Sequence, residues 1–309
     1  MSKLILGTRA SALALAQTEL TRQALAAAAP EVEVEVRKFT TRGDQKLDLS
    51  LLRGSEAGGK GLFTKELEEA LFARAIDVAV HSLKDLPGHN PEGLILAAVL
   101  ERAATGDVLL AKTAGGLDAL PQQAKVGTSS IRRARQLQWL RPDLEILEWR
   151  GNVQTRLRKL GEAKDVAGIV LAQAGLERLG FPVAQGKVDF EGYEFHTTSL
   201  EDRLLPAIGQ GAIALQSRAG DEPVAKLLGM INHEPTMVAV RAERELQRLL
   251  AGDCTLPVGV RCRAMDGRLW MSAILFGAEG EAPRSAEAEG DVAGPEAVAA
   301  EVFRRMSVG

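Results

Sequence analysis

Apolar residues recur along this chain at two different periods, and the switches between the periods mark out its elements. Residues 3–7 form a short apolar run, and residues 31–39 set Val32, Val34 and Val36 between glutamates, the two-residue alternation of a strand. Between them, residues 11–27 carry Leu13, Leu20 and Leu25 among alanines, which predicts a helix with one apolar face. A polar, glycine-rich stretch over 40–61 is longer than ordinary connections and reads as a mobile or functional loop. A helix over 63–74 and a strand over 76–80 follow, and the strand runs out into His81-Ser82-Leu83-Lys84-Asp85-Leu86-Pro87. Residues 94–100 are a further apolar strand.

A second block in the same style begins at 108–111. Strands are expected at 125–127, 145–149 and 167–172, each followed by a helix, and 204–216 reads as a loop leading into another buried strand. From Asp221 the style changes to two helices (222–231 and 235–250), the loop 251–256 and a hairpin of 258–265 with 268–276 over Asp266-Gly267. A third strand and a helix over 295–306 complete the pattern. The expected architecture is two doubly wound α/β units and a small α+β unit.

The length of 309 residues fits about two or three domains. Hydrophobic residues at 46% and charged residues at 26% suit a soluble enzyme, and no apolar run approaches the roughly 20 residues that span a bilayer. The first residues make a poor signal peptide, and two cysteines, Cys254 and Cys262, build no disulfide framework, so the expected compartment is the cytoplasm. A net charge of −3 argues against a general nucleic-acid footprint.

Against that acidic background, residues 126–156 hold six arginines and no lysine: Arg132, Arg133, Arg135, Arg141, Arg150 and Arg156. Arg132 and Arg133 follow Gly127-Thr128-Ser129-Ser130, a strand end turning into a helix start. Arg150 and Arg156 flank a similar turn at Gly151-Asn152. Such turns offer backbone N–H groups and the positive end of a helix to an anion, and guanidinium grips carboxylate or phosphate through paired hydrogen bonds. Arg135 and Arg141 read instead as solvated helix-face residues. Asp85 lies just past a strand end, where open α/β sheets place ligands; spacing alone leaves a catalytic carboxylate and a polar turn equally open. The run Gly54-Ser55-Glu56-Ala57-Gly58-Gly59-Lys60 has phosphate-loop spacing, but Gly61 stands where a magnesium-binding hydroxyl is needed, so only Lys60 is kept as a candidate anion contact. Cys254 sits in a loop, as a nucleophile or an inert thiol, while Cys262 alternates into a strand and reads as packed. Neither the cysteines nor the four histidines have metal-ligand spacing.

Taken together these pieces resemble the porphobilinogen deaminase (hydroxymethylbilane synthase) family nearly end to end. The resemblance runs through Thr8-Arg9-Ala10-Ser11, Thr41-Arg42-Gly43-Asp44, Gly58-Gly59-Lys60-Gly61-Leu62-Phe63, His81-Ser82-Leu83-Lys84-Asp85, Gly127-Thr128-Ser129-Ser130 with Arg132-Arg133, Arg150-Gly151-Asn152, Gly209-Gln210-Gly211-Ala212 and the Cys254 loop. Ala12 replaces a usual proline, Glu56 stands where some relatives are basic, and Asp253 replaces a glycine before the cysteine. The resemblance implies two periplasmic-binding-protein-like α/β domains with a cleft between them (1–101 with 200–218, and 102–199) and a small α+β domain with a three-stranded antiparallel sheet (219–309). It implies a dipyrromethane cofactor in thioether linkage to Cys254, on which four porphobilinogens are joined head to tail with loss of ammonia before hydrolysis releases hydroxymethylbilane. Asp85 is then the catalytic carboxylate. Lys84, Asp85, Thr128, Ser129, Ser130, Arg132, Arg133, Arg150 and Gly151 contact the cofactor, and Arg9, Ser11, Lys60, Arg150, Arg156, Arg178 and Gln210 the substrate. The implied partners are porphobilinogen and linear pyrrole intermediates, with no metal, nucleic acid or membrane, in a monomer that hands its product to a cyclising synthase. The rival reading is a cytoplasmic solute-binding or ligand-sensing protein for a polycarboxylate, in which Cys254 is idle.

Overall fold

In this computed structural model residues 2–41, 64–250, 256–278 and 280–308 are described. The expectations placed on Lys60, Glu56, Asp253, Cys254 and nearly all of the 40–61 stretch fall outside them.

The alternation in the first block builds a five-stranded sheet. Strand β1 (Lys3–Arg9) runs parallel to β2 (Glu33–Phe39) and β3 (Val78–Ser82), and β4 (Leu94–Val99) forms the far edge. Strand β11 (Ile213–Arg218) is inserted between β3 and β4, antiparallel to both. Leu4, Leu6, Val78, Val80 and Leu215 share one face with helices α1 (Ala12–Ala28) and α6 (Glu222–Gly229), while Ile5 and Ala79 face α2 (Lys65–Phe72). Ser11 starts α1, its hydroxyl accepting from the Ala14 N–H at 3.3 Å.

The second block forms a six-stranded sheet from β5 (Asp107–Ala111), β6 (Lys125–Gly127), β7 (Glu145–Leu147), β8 (Val166–Ala172), β9 (Lys187–Phe190) and β10 (Tyr193–Ser199), in the order β7-β6-β8-β5-β10-β9. Leu109 and Ala111 pack toward α3 (Ile131–Leu140), and Val108 and Leu110 toward α4 (Val153–Glu162) and α5 (Gln173–Glu177). Burial on both faces explains why this strand reads as unbroken apolar sequence, and each such leucine contributes about 1.5–3 kcal/mol. The β9–β10 hairpin was not expected from the sequence. Its turn is Glu191-Gly192, both with positive φ (+50° and +84°), a less telling pair than the asparagine–glycine of typical hairpins. The sheet is also mixed rather than parallel, because β5 runs antiparallel to β8 and β10.

The third sheet is antiparallel, β12 (Val258–Met265), β13 (Arg268–Leu275) and β14 (Arg284–Asp291), with the expected tight turn at Asp266-Gly267. Helices α7 (Glu234–Leu249) and α8 (Pro295–Val308) cover it, and Cys262 is buried in the core they share.

Two segments, 100–106 and 200–212, carry the chain between the first two sheets and back. They are laced together: the Ala103 N–H donates to Gly211 O (3.2 Å), Arg102 Nε to Gln210 O (2.9 Å), and the Leu200 N–H to Asp107 O (2.8 Å). Gly211 has φ +85°, and a Cβ there would lie 2.5 Å from the Ala103 carbonyl oxygen, so the approach requires glycine.

Candidate active site

Beyond β3 the chain makes one 3-10 turn over Leu83–Asp85. Leu83 and Leu86 are buried, which anchors the turn and leaves Lys84 and Asp85 half-buried at the end of a strand. Arg9, ending the neighbouring β1, brings Nη1 to 3.7 Å from Asp85 Oδ2. Just before the turn, Ser82 and Gln17 of α1 exchange hydrogen bonds of 2.9 and 3.1 Å. His81 is buried against Gln216 Oε1 (3.2 Å), and burial, with the Arg9 charge adding, pushes its pKa down to about 4.

The second sheet supplies the arginines. Ser130 caps α3, Thr128 Oγ1 accepts from the Ser130 N–H (3.2 Å), and Ser129 Oγ donates to Trp149 O (2.7 Å), tying the first arginine turn to the second. Arg132 and Arg133 are buried on one carboxylate, Asp107. Arg133 Nε and Nη2 both donate to Oδ1 (3.0 and 2.8 Å), and Arg132 Nη1 lies 2.8 Å from Oδ2. Arg133 Nη1 also donates to Val170 O (3.0 Å), Arg132 Nη1 to Leu205 O (2.6 Å), and Gln210 Nε2 to Asp107 Oδ1 (2.9 Å) and Thr105 O (2.6 Å). Burial alone would raise the Asp107 pKa, but the two guanidinium groups more than offset it and hold it far below the ordinary carboxylate range.

The second turn is more open. Asn152 caps α4, accepting from the Thr155 N–H at 2.8 Å, and Gly151 has φ +120°. Arg156 Nε donates to Gly151 O (2.7 Å), and Arg150 Nε to Glu148 Oε1 (2.7 Å) while its Nη2 is buried with no partner among the described residues.

These residues form one electrostatic cluster across both sheets. Burial pulls the Lys84 pKa down to about 8; Asp85 partly offsets this and Arg133 and Arg156 add to it. Burial, with Arg133 and Arg150, lowers Arg156 to about 10. Among the described residues, six cations (Arg9, Lys84, Arg132, Arg133, Arg150 and Arg156) thus belong with three carboxylates, Asp85, Asp107 and Glu148. Arg132 Nε, Arg150 Nη2 and Gln210 Oε1 are buried without hydrogen-bond partners among the described residues. Surplus positive charge with orphaned donors fits a ligand bearing several carboxylates.

Arg178 is not part of this cluster. Its Nη2 donates to Gly211 O (2.6 Å), the neighbouring Glu177 charge acts on it, and it lines a groove of about 1170 Å³ with Leu20, Ala24 and Met230. Arg141 departs from the expectation of a free helix-face residue: half-buried, it clasps Asp143 (2.7 and 2.8 Å) and the Leu117 carbonyl (2.8 Å). Asp107 and Gln17 were not singled out in the sequence, and Ser82 stood there only inside the motif His81-Ser82-Leu83-Lys84-Asp85. A lone carboxylate at the mouth of the apolar run 108–111 was the available sign of the first.

The sequence matches the family model described as "Porphobilinogen deaminase, dipyromethane cofactor binding domain" over residues 4–226, and the model of the C-terminal domain over 237–307. The chain belongs to the porphobilinogen deaminase family. It is 44% identical to the porphobilinogen deaminase of Desulforudis audaxviator over 96% of this chain and 91% of that protein. With that of Moorella thermoacetica it shares 43% over 99% and 93%. Among solved structures, a zinc-bound ligand-binding component of an ABC-type importer from Staphylococcus aureus aligns with TM-score 0.42 at 12% identity, over 80% of this chain and 74% of that one. Membership in a deaminase family disfavours the solute-binding alternative. No helix among the described residues is long and apolar enough to cross a membrane.

Proposed function

We infer that the chain carries its family's activity: it is a transferase that condenses four porphobilinogens head to tail on a dipyrromethane primer and releases hydroxymethylbilane, in tetrapyrrole biosynthesis. The observation that supports this most directly is the charge cluster at the junction of two sheets, in which Arg9, Lys84 and Arg156 act on Asp85, Arg133 on Lys84 and Arg156, and Arg150 on Arg156. Each pyrrole unit carries an acetate and a propionate, so the bound chain gains negative charge at every addition.

The work divides among the residues as follows. Arg150, Arg156 and Lys84 take ligand carboxylates, and Arg9 holds Asp85 in place while reaching the incoming ring. Thr128, Ser129, Ser130 and Gly151 shape the two turns, and Arg132 and Arg133 form the floor against which the cofactor rests. The dipyrromethane, held by Cys254, supplies the pyrrole carbon from which the product grows. Asp85 meets the positive charge that develops on porphobilinogen as its ammonia leaves, an interaction stronger in the transition state than in the ground state. The lobes are residues 1–101 with 200–218, and 102–199, and residues 219–309 carry the attachment loop. Lys60, Ser11, Gln210 and Arg178 complete the substrate contacts, Arg178 only if the lobes shift. The enzyme works as a cytoplasmic monomer and passes its product to a cyclising synthase.

Intact mass spectrometry tests the frame: a dipyrromethane adduct should be present in wild type and Cys262→Ser and absent in Cys254→Ser. An adduct mapped to Cys262 would overturn it. For the chemistry, Asp85→Asn, supplied with preassembled cofactor, should keep the adduct and lose about 10²–10³ in turnover, while Asp85→Glu retains more. Normal turnover in the asparagine variant would reduce Asp85 to a turn residue.

A further inference from the structure

A second cavity, of about 280 Å³, lies where the two connecting segments meet α7 and β12. Its walls come from the outgoing segment (Arg102, Thr105), the returning segment (Glu201, Pro206), α7 (Glu243) and β12 (Arg261, Arg263). Most of its charges are already matched. Arg102 pairs with Glu243 through two hydrogen bonds of 2.7 and 3.0 Å, and Glu243, fully buried, also accepts from the Gly209 N–H at 2.7 Å. Arg263 reaches Glu201 at 3.2 Å.

Arg261 is the exception. It donates from Nη2 to the Glu201 carbonyl, its Nε is buried with no partner, and it has no ion pair among the described residues. Three arginines and two glutamates among the described residues line the cavity, so one positive charge is left over, and an incompletely matched guanidinium suits an oxyanion. A polar space of this size holds such an ion with several waters.

We propose that this cavity is a binding site for a compact oxyanion of phosphate type, with Arg261 as its principal ligand. Its place in the fold gives it a structural effect. Strand β12 rests on the returning segment, the Val260 N–H donating to Pro206 O at 2.8 Å, and a Cβ at Gly259 would lie 2.8 Å from Leu205 Cβ. The Leu205 carbonyl is also the acceptor for Arg132. An anion here therefore fastens the third sheet onto the segment that braces the arginine floor of the main site.

The test uses the full-length holoenzyme at constant ionic strength, with chloride exchanged for inorganic phosphate and Tm followed. Wild type should show a saturable rise. Arg261→Gln should weaken the midpoint at least tenfold, whereas Arg150→Gln, in the main cluster, should leave it within twofold. An equal midpoint in wild type and Arg261→Gln overturns the proposal, as does a response abolished by Arg150→Gln alone or no saturable response. Should Arg261→Gln fail to fold, crystals of the wild type soaked in selenate decide: anomalous density beside Arg261 supports the site, and its absence there rejects it.

Discussion

The two helix starts that bear the arginine pairs are close relatives as sequence, each with a glycine, a capping side chain and two guanidinium groups, yet the fold uses them differently. At the first, Arg132 and Arg133 are sunk onto Asp107, with Gln210 and backbone carbonyls taking much of the remaining capacity. At the second, Arg150 and Arg156 stay half-buried, Arg150 spends one N–H on a partly exposed glutamate, and Arg156 one on a carbonyl. The difference lies in what is already within reach. A buried carboxylate turns a guanidinium into scaffold, and its absence leaves the guanidinium a grip. Electrostatic surplus at the site is therefore set by Asp107 as much as by the arginines themselves.

The largest effect should come from removing that distinction. Asp107→Asn strands two buried guanidinium groups, and breaking a buried ionic cluster costs about 3–5 kcal/mol. Calorimetry should show Tm falling by on the order of 10 °C, with cofactor assembly lost alongside; an unchanged Tm would make the first turn as open as the second.

Next, the two turns should separate on two axes. Arg133→Gln should lower both Tm and cofactor loading. Arg150→Gln should hold Tm within about 2 °C yet weaken ligand binding tenfold or more, since a charge-assisted hydrogen bond is worth about 1.5–3 kcal/mol. Parallel losses in both variants would erase the contrast.

The smallest effect is a pH dependence. With its pKa lowered to about 8, Lys84 is charged in the ligand-free protein below that pH and loses its charge above it. KM for porphobilinogen should thus rise several-fold between pH 7 and 9, and Lys84→Met should flatten the profile at a higher KM. For folding the sign is opposite: the cost of burying the charged lysine is present below about pH 8 and is relieved as pH climbs toward its ordinary 10.5. His81, at about 4, should not contribute to either trend.

Much of this was legible in the sequence because it rests on local chemistry. The alternation of β2, the helix starts near residues 11, 130 and 152, and the Asp266-Gly267 turn are local signals, and the structure keeps each of them. The strand-end position of Asp85 follows from the same kind of reading. What escaped depends on which way side chains turn in three dimensions. Nothing near Arg141 in sequence announces that it folds back onto Leu117, and nothing near Asp107 reveals two arginines some 25 residues on. Tertiary partners decided those, and they decided the antiparallel strands β5, β10 and β11 as well.

The placement of β11 also constrains how the chain is made. A ribosome delivers β3 and β4 more than a hundred residues before the strand that joins them. Until then both present unpaired backbone edges and apolar faces, a state prone to edge-to-edge association. The second sheet has no such wait, since its first and last strands in the chain, β5 and β10, pair directly and the Leu200 N–H donates to Asp107 O. It can close while the first remains unfinished. The vulnerable species during synthesis is a first sheet still lacking its fifth strand.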